Sequence, residues 1–141
     1  MDNIDKKLIE LLQLDSRKSI SDLSKELALS RPSVNERLNR LRERGVIQAF
    51  TIRISLPKVG RDILLIIQMG ALKVSTTEFE EMIKKDHDII ECYRVTGESS
   101  YMMKAAVPDM NSMRILIDRL IPYGSVNTST VLSSPVEYRI L

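Results

Sequence analysis

Ser30-Arg31-Pro32-Ser33-Val34-Asn35-Glu36-Arg37-Leu38-Asn39-Arg40-Leu41-Arg42-Glu43-Arg44-Gly45 reads as a helix with both of its ends written into it. Ser30 offers a hydroxyl to the free amides of the first turn. Pro32 falls in that turn, where its missing N–H breaks no intrahelical bond. Gly45 adopts the left-handed conformation that closes a helix. Val34, Leu38 and Leu41 recur at i, i+4 and i+7, which defines one buried face. At 100° per residue, Pro32, Glu36, Asn39, Arg40 and Glu43 then point outward, with Ser33 and Arg37 on the flank. Arginines at 31, 37, 40, 42 and 44 face only Glu36 and Glu43 within the segment.

Two shorter helices precede it. Ile4, Leu8, Leu11 and Leu12 form an apolar stripe, with Asp2 as cap, Asp5 at the third helical position and an end near Leu14. Ser19 caps a second helix with Asp22 three residues on, a capping-box-like pair, and this helix stops around Ala28-Leu29. A short connection into a serine-capped, arginine-rich helix is the pattern of a helix-turn-helix. The candidate DNA-binding residues are Ser30, Arg31, Ser33, Glu36, Arg37 and Arg40. The first-turn amides and Ser30 suit a phosphate. An arginine fork suits the O6 and N7 edge of guanine. The competing reading is a metabolite-binding and assembly module whose N-terminal helices dock to protein rather than DNA.

Beyond Gly45 the period changes. Thr51 to Ser55 alternates polar and apolar residues, as a half-buried strand does, and Leu56 to Gly60 has loop chemistry. Then follow a strand over Ile63–Leu72, a Ser75-capped helix with Phe79, Met82 and Ile83 inward, and a strand over Ile89–Thr96. A turn at 97–100, a strand over Tyr101–Val107, a helix opened by Pro108-Asp109 and running through Leu120, and a strand over Ser125–Ser133 complete the chain. This is β-α-β-β-α-β, the ferredoxin-like order. Helices cover one face of such a sheet, and the other face suits a second copy of the chain.

The chain has 141 residues, 28% of them charged, and a formal net charge of +2. That sum conceals an asymmetry: residues 1–60 carry twelve Lys and Arg against eight Asp and Glu, and residues 61–141 carry nine against eleven. The basic excess belongs to the helix-turn-helix half, where it can neutralise phosphates. Ile63–Ile67, the longest apolar run, is far shorter than the ~20 residues of a membrane span. The acidic start, Met1-Asp2-Asn3-Ile4-Asp5, is unlike a secretory signal. One cysteine, Cys92, excludes an intramolecular disulfide framework, and with the single His87 it leaves little for a metal site. A cytoplasmic setting is expected, with no membrane, metal or cofactor. Cys92 is expected as a small buried apolar residue, and His87 as a surface residue at a helix end. Glu80-Glu81 and Asp86/Asp88 are adjacent or helix-end carboxylates rather than a pair set across a cleft, and no phosphate-binding glycine loop is present. No catalytic constellation stands out, so the expectation is a non-enzyme. The seven methionines follow helix and strand faces and read as core filler.

In the order and spacing of several fragments the chain resembles the Lrp/AsnC, or feast/famine, family of prokaryotic transcription regulators. They are Asp2 and Asp5 before Ile9-Glu10-Leu11-Leu12, then Asp15-Ser16-Arg17, Leu23-Ser24, Leu29-Ser30, Val34, Arg37, Leu41 and Gly45-Val46-Ile47, and finally Cys92-Tyr93-Arg94-Val95-Thr96-Gly97. The resemblance covers nearly the whole length. It implies an α+β chain: an N-terminal (winged) helix-turn-helix domain over residues 1–47, a strand-like linker over 48–60, and a ferredoxin-like assembly and effector domain over 61–141. It implies a sequence-specific regulator that binds double-stranded DNA as a homodimer, or as a tetramer or octamer built from such dimers. It also implies an amino acid or other small metabolite as effector, bound near the loop Gly97, Glu98, Ser99, Ser100 and Tyr101. The family loop usually carries an aromatic and an aspartate where this chain has Ser99 and Ser100. An aspartate contributes negative charge toward an amino-acid ammonium; Ser100 does not.

Overall fold

A computed structural model of the chain describes residues 1–140. The chain forms two compact units: Met1–Arg53 with the residues from Val136 onward, and Ile54–Pro135. The sequence-based limits of 47 and 60 bracket the change at residue 53, while the chain's last residues join the first unit.

In the first unit α1 spans Asn3–Leu14, α2 Ile20–Leu27 and α3 Arg31–Glu43. Each begins on its expected cap. Asp2 and Asp5 form a reciprocal capping box, the Asp5 amide donating to Asp2 Oδ1 at 2.8 Å and the Asp2 amide to Asp5 Oδ2 at 3.2 Å. At α2 the Asp22 amide donates to the Ser19 hydroxyl, whose own proton goes to the Asp22 carboxylate. Leu8, Leu11, Leu12, Leu23, Val34 and Leu41 are buried together as one core, with Leu38 packed at its edge. Ala28 ends α2 in the left-handed region at φ 53°, and the Leu29 amide bonds back to the Ser24 carbonyl. Gly45, at φ 69°, lets the Val46 amide return to the Leu41 carbonyl at 2.9 Å and closes α3.

The second unit begins with a single 3-10 turn at Pro57–Val59, then β1 (Ile63–Gly70), α4 (Thr76–Lys85), β2 (Ile89–Arg94), β3 (Tyr101–Val107), α5 (Met110–Leu120), a 3-10 turn at Ile121–Tyr123 and β4 (Ser125–Thr130). The strands form one antiparallel sheet in the order β2-β3-β1-β4, with β1 and β3 central. Side chains alternate across a strand, so Leu65, Ile67 and Met69 of β1 share the helix-covered face with Tyr101, Met103, Ala105 and Val107 of β3. Phe79 and Ile83 of α4 and Leu116 and Leu120 of α5 close this core. Gly124 lies so close to β1 that a Cβ there would sit 2.5 Å from the Gly70 carbonyl oxygen.

Three expectations need correction. Thr51–Ser55 forms no strand: no neighbouring backbone completes a ladder, and its apolar residues are solvated, Ile52 to 75%. Alternation marks a residue pattern, but a strand exists only when its amides find partners. Cys92 is exposed rather than buried, because β2 is an edge strand with only one neighbour. It shares the inner-face register with Met103, and partial burial together with the nearby Glu80 charge pushes its thiol pKa up, away from reactivity. The last strand stops at Thr130 rather than Ser133: Val131 still donates to the Leu64 carbonyl, but Leu132 stands in solvent.

Between α4 and β2, Arg119 grips Asp86 through two hydrogen bonds of 2.8 and 2.9 Å and also reaches Asp88, which Arg61 meets from the other side. Burial is the largest single influence on the Asp86 carboxyl and pushes its pKa up. The bonds from Arg119 and from the Asp88 amide outweigh it and hold the group below the ordinary carboxylate value. With the folded pKa below the unfolded one, its stabilisation is complete above about pH 4 and is lost as pH falls through the folded value. Urea unfolding at a series of pH values should therefore show stability falling below about pH 4. Asp86→Asn should lower stability at neutral pH and flatten that acid limb.

Candidate nucleic-acid interface

The first turn of α3 leaves its amides without helical partners, and Ser30 satisfies one of them. The Ser33 amide donates to Ser30 Oγ at 3.3 Å, and the two hydroxyls lie 2.9 Å apart. Arg31 donates from Nη2 to Ser21 Oγ at 3.0 Å, tying the start of α3 to α2. Ser30, Arg31, Pro32, Asn35, Glu36 and Asn39 are exposed and Ser33 is half-buried. They form a polar surface along the N-terminal half of α3, opposite the buried Val34 and Leu41.

Arg37 and Arg40 are placed differently from Arg31. Arg37 Nη1 donates to Asp2 Oδ2 at 2.7 Å and to Asp5 Oδ1 at 2.8 Å, and Arg40 Nη2 reaches Asp5 Oδ1 at 3.2 Å. Asp5 is only 2% exposed, and it is the buried charged residue of this unit's core. Burial is the strongest influence on its carboxyl and would raise the pKa, but the bonds from Arg37 and the Asp2 amide bring it below the ordinary value. The Asp2 carboxyl is lowered too, first by the Asp5 amide and then by Arg37. The Arg37 side chain is 21% exposed and that of Arg40 44%. The capping box of α1 is thus also the anchor for the middle of α3. Sequence periodicity put Arg37 on the flank and Arg40 outside. It did not reveal that both turn toward α1, because a helical wheel fixes where a side chain starts and not where a long one ends.

In the second unit the loop Gly97-Glu98-Ser99-Ser100 joins β2 to β3, with Gly97 at φ 113°. The Ser100 amide donates to the Met69 carbonyl at 2.7 Å and its carbonyl accepts from the Val95 amide. Glu98 is exposed, Ser99 and Ser100 are half-buried, and a shallow concavity lies between this loop, Gln68, Arg94 and Met102. Tyr101 is not part of that concavity: it is in the core, its ring centroid 4.8 Å from that of Phe79 and its hydroxyl donating to Glu80 at 2.6 Å. Burial first, and then the Glu80 bond, push its pKa up to about 12, so it stays a protonated donor. Among the described residues no three His, Cys, Asp or Glu side chains gather as a metal site would require, and no helix is long and apolar enough to cross a membrane.

Comparison with known proteins matches both units. Residues 1–48 fit the family described as winged helix-turn-helix DNA-binding, and residues 65–141 fit the Lrp/AsnC ligand binding domain. The HTH-type transcriptional regulator LrpC of Bacillus subtilis is 30% identical over 133 residues, covering 94% of this chain and 92% of that protein. The leucine-responsive regulatory protein of Escherichia coli is 32% identical over 131 residues, covering 90% and 80%. The solved structure of B. subtilis LrpC superposes with a TM-score of 0.93 at 29% identity, covering 98% of this chain and 99% of that one.

Replacing Arg37 by Ala should leave the nearly buried Asp5 with only Arg40 and the Asp2 amide. The expected result is a lower melting midpoint, by roughly 5 °C, from loosening of α1 on α3. Thermal unfolding followed by circular dichroism checks it.

Proposed function

The chain belongs to the Lrp/AsnC family of transcriptional regulators, with a winged helix-turn-helix DNA-binding domain and the family's ligand-binding domain, and we propose which of its residues carry each task. The DNA-reading surface is the N-terminal half of α3. Ser30, Ser33 and the first-turn amides meet a phosphate, while Arg31, Glu36 and the open edge of Arg40 meet the groove. The observation that carries this reading is the exposed polar surface of Ser30, Arg31 and Glu36 on a helix whose opposite face is fixed in a core. Arg37 serves this surface by holding α3 on α1.

The second unit assembles copies of the chain. The sheet face turned away from α4 and α5 carries Leu64, Ile66, Tyr93 and Met102, a mixed apolar surface suited to a second copy. A dimer presents two α3 helices to half-sites about one helical turn apart, or a multiple of it. Dimers assemble further into tetramers or octamers of the chain, as the family's rings of dimers suggest. The effector is an amino acid or similar small metabolite, held near Gly97, Glu98, Ser99 and Ser100. Tyr101 supports that loop from inside the core rather than touching the ligand. The protein acts in the cytoplasm by binding rather than by catalysis, and it requires no cofactor.

The direct test selects bound genomic fragments with and without an amino-acid mixture, then measures affinity for a recovered site. Arg31→Ala and Arg40→Ala should each weaken binding about tenfold, with the oligomeric mass by light scattering unchanged. Unchanged affinity in both variants would remove this surface as the reading face, and a monomeric mass at micromolar concentration would remove the assembly role.

A further inference from the structure

The acidic pair at the start of α1 has more charge than a helix cap needs. Asn caps a helix as well as Asp does. Asp2 and Asp5 nevertheless place two carboxylates against the guanidinium groups of Arg37 and Arg40, in the middle of the basic helix. At 100° per residue Arg37, Arg40 and Arg44 fall on one side of the helix and would otherwise form one cationic patch there. Such a surface attracts any phosphate backbone, and that attraction carries no sequence information.

We propose that Asp2 and Asp5 are specificity-determining positioning residues of the DNA-binding helix: by engaging Arg37 and Arg40 they keep both guanidinium groups from contacting phosphates indiscriminately. This inference rests on α3 being the DNA-reading element and adds a restraint to it. Arg31 is the contrasting case. Its partner is the neutral Ser21 hydroxyl, so its charge remains available at the exposed start of the helix. Charge available for phosphate is thereby kept at the end of α3 that carries the free amides and reduced along its middle, with Arg42 and Arg44 exposed at the far end. Discrimination is the difference between wanted and unwanted binding, and weakening the unwanted binding raises it as effectively as strengthening the wanted one.

The geometry separates this role from simple capping. Asp5 Oδ2 accepts the Asp2 amide, whereas Oδ1 accepts Arg37 and the closer of the two Arg40 contacts. Asp2 Oδ1 accepts the Asp5 amide, whereas Oδ2 accepts Arg37. In each carboxylate one oxygen serves the helix end and the other holds Arg37, and Asp5 Oδ2 adds a longer contact to Arg40 at 3.4 Å. Asparagine retains an acceptor for the helix end and loses the negative charge, so it removes one role and spares the other.

The test measures binding of the full chain to a random-sequence DNA duplex across a range of salt, comparing wild type with Asp2→Asn, with the double variant Asp2→Asn/Asp5→Asn and with Asp5→Glu. Each arginine released onto a phosphate steepens the slope of log affinity against log salt by about 0.9, a change of about three- to fourfold between roughly 50 and 200 mM salt. The double variant should bind the random duplex several-fold more tightly at low salt and show a slope steeper by about one to two per chain. Asp2→Asn, an exposed change that leaves the core untouched, should show a smaller effect in the same direction. Asp5→Glu, which keeps the charge, should stay near the wild-type slope. Wild-type slope and affinity in both asparagine variants, with or without a lowered melting point, would overturn the inference and leave the pair as a structural brace. Absence of duplex binding by the wild type even at low salt would instead overturn the DNA reading itself.

Discussion

The N-terminal unit is organised around a buried carboxylate. Asp5 is almost fully removed from water, and an unpaired charge in that position would cost several kcal/mol. Three donors meet it: the Asp2 amide, Arg37 and Arg40. Satisfying that one group sets where α1 starts and where the middle of α3 lies against it. It also decides which arginines of α3 are free. The hydrophobic contacts of Leu8, Leu23, Val34 and Leu41 press the helices together, but apolar contact is non-directional. The charged hydrogen bonds supply direction and fix the orientation of α3 on α1.

The C-terminal unit solves a different problem. Its sheet buries one face under two helices and leaves the other only partly polar. Antiparallel sheets tolerate such a face in water, yet Leu64, Ile66, Tyr93 and Met102 make it better suited to a protein surface. The Asp86–Arg119–Asp88–Arg61 chain of ion pairs ties α5, the start of β2 and the segment before β1 together at one end of the sheet. The β2–β3 loop is fixed at its base by Ser100 against β1 and by Tyr101 in the core, while Glu98 stays in solvent. A loop held firmly at its root and open at its tip is a reasonable support for a ligand contact.

Much of this was legible in the residues themselves. Asp2, Ser19, Ser30, Ser75 and Asp109 each cap the helix expected of them, because capping is decided within four residues of chain. The order of strands and helices in the second half was legible for a similar reason, since its periodicities and turns are local signals. What was not legible depends on partners distant in sequence. Thr51–Ser55 alternates, but among the described residues no strand pairs with it. Cys92 sits in a strand whose position at the sheet edge follows from the topology and not from its neighbours in the chain. A wheel places Arg37 on the flank and Arg40 outside, but not their bonds to Asp2 and Asp5, which lie more than thirty positions away. Tyr101 belongs to the loop by sequence and to the core by contact.

On the proposed reading, the N-terminal half of α3, presented from the three-helix unit, recognises DNA. Hydrogen–deuterium exchange of the full chain, with and without a selected duplex, addresses it residue by residue. New protection should concentrate on the α2–α3 turn and the first half of α3, with the strands β1 and β3 unchanged. Protection confined to the sheet unit, with α3 exchanging as in the free protein, would contradict it.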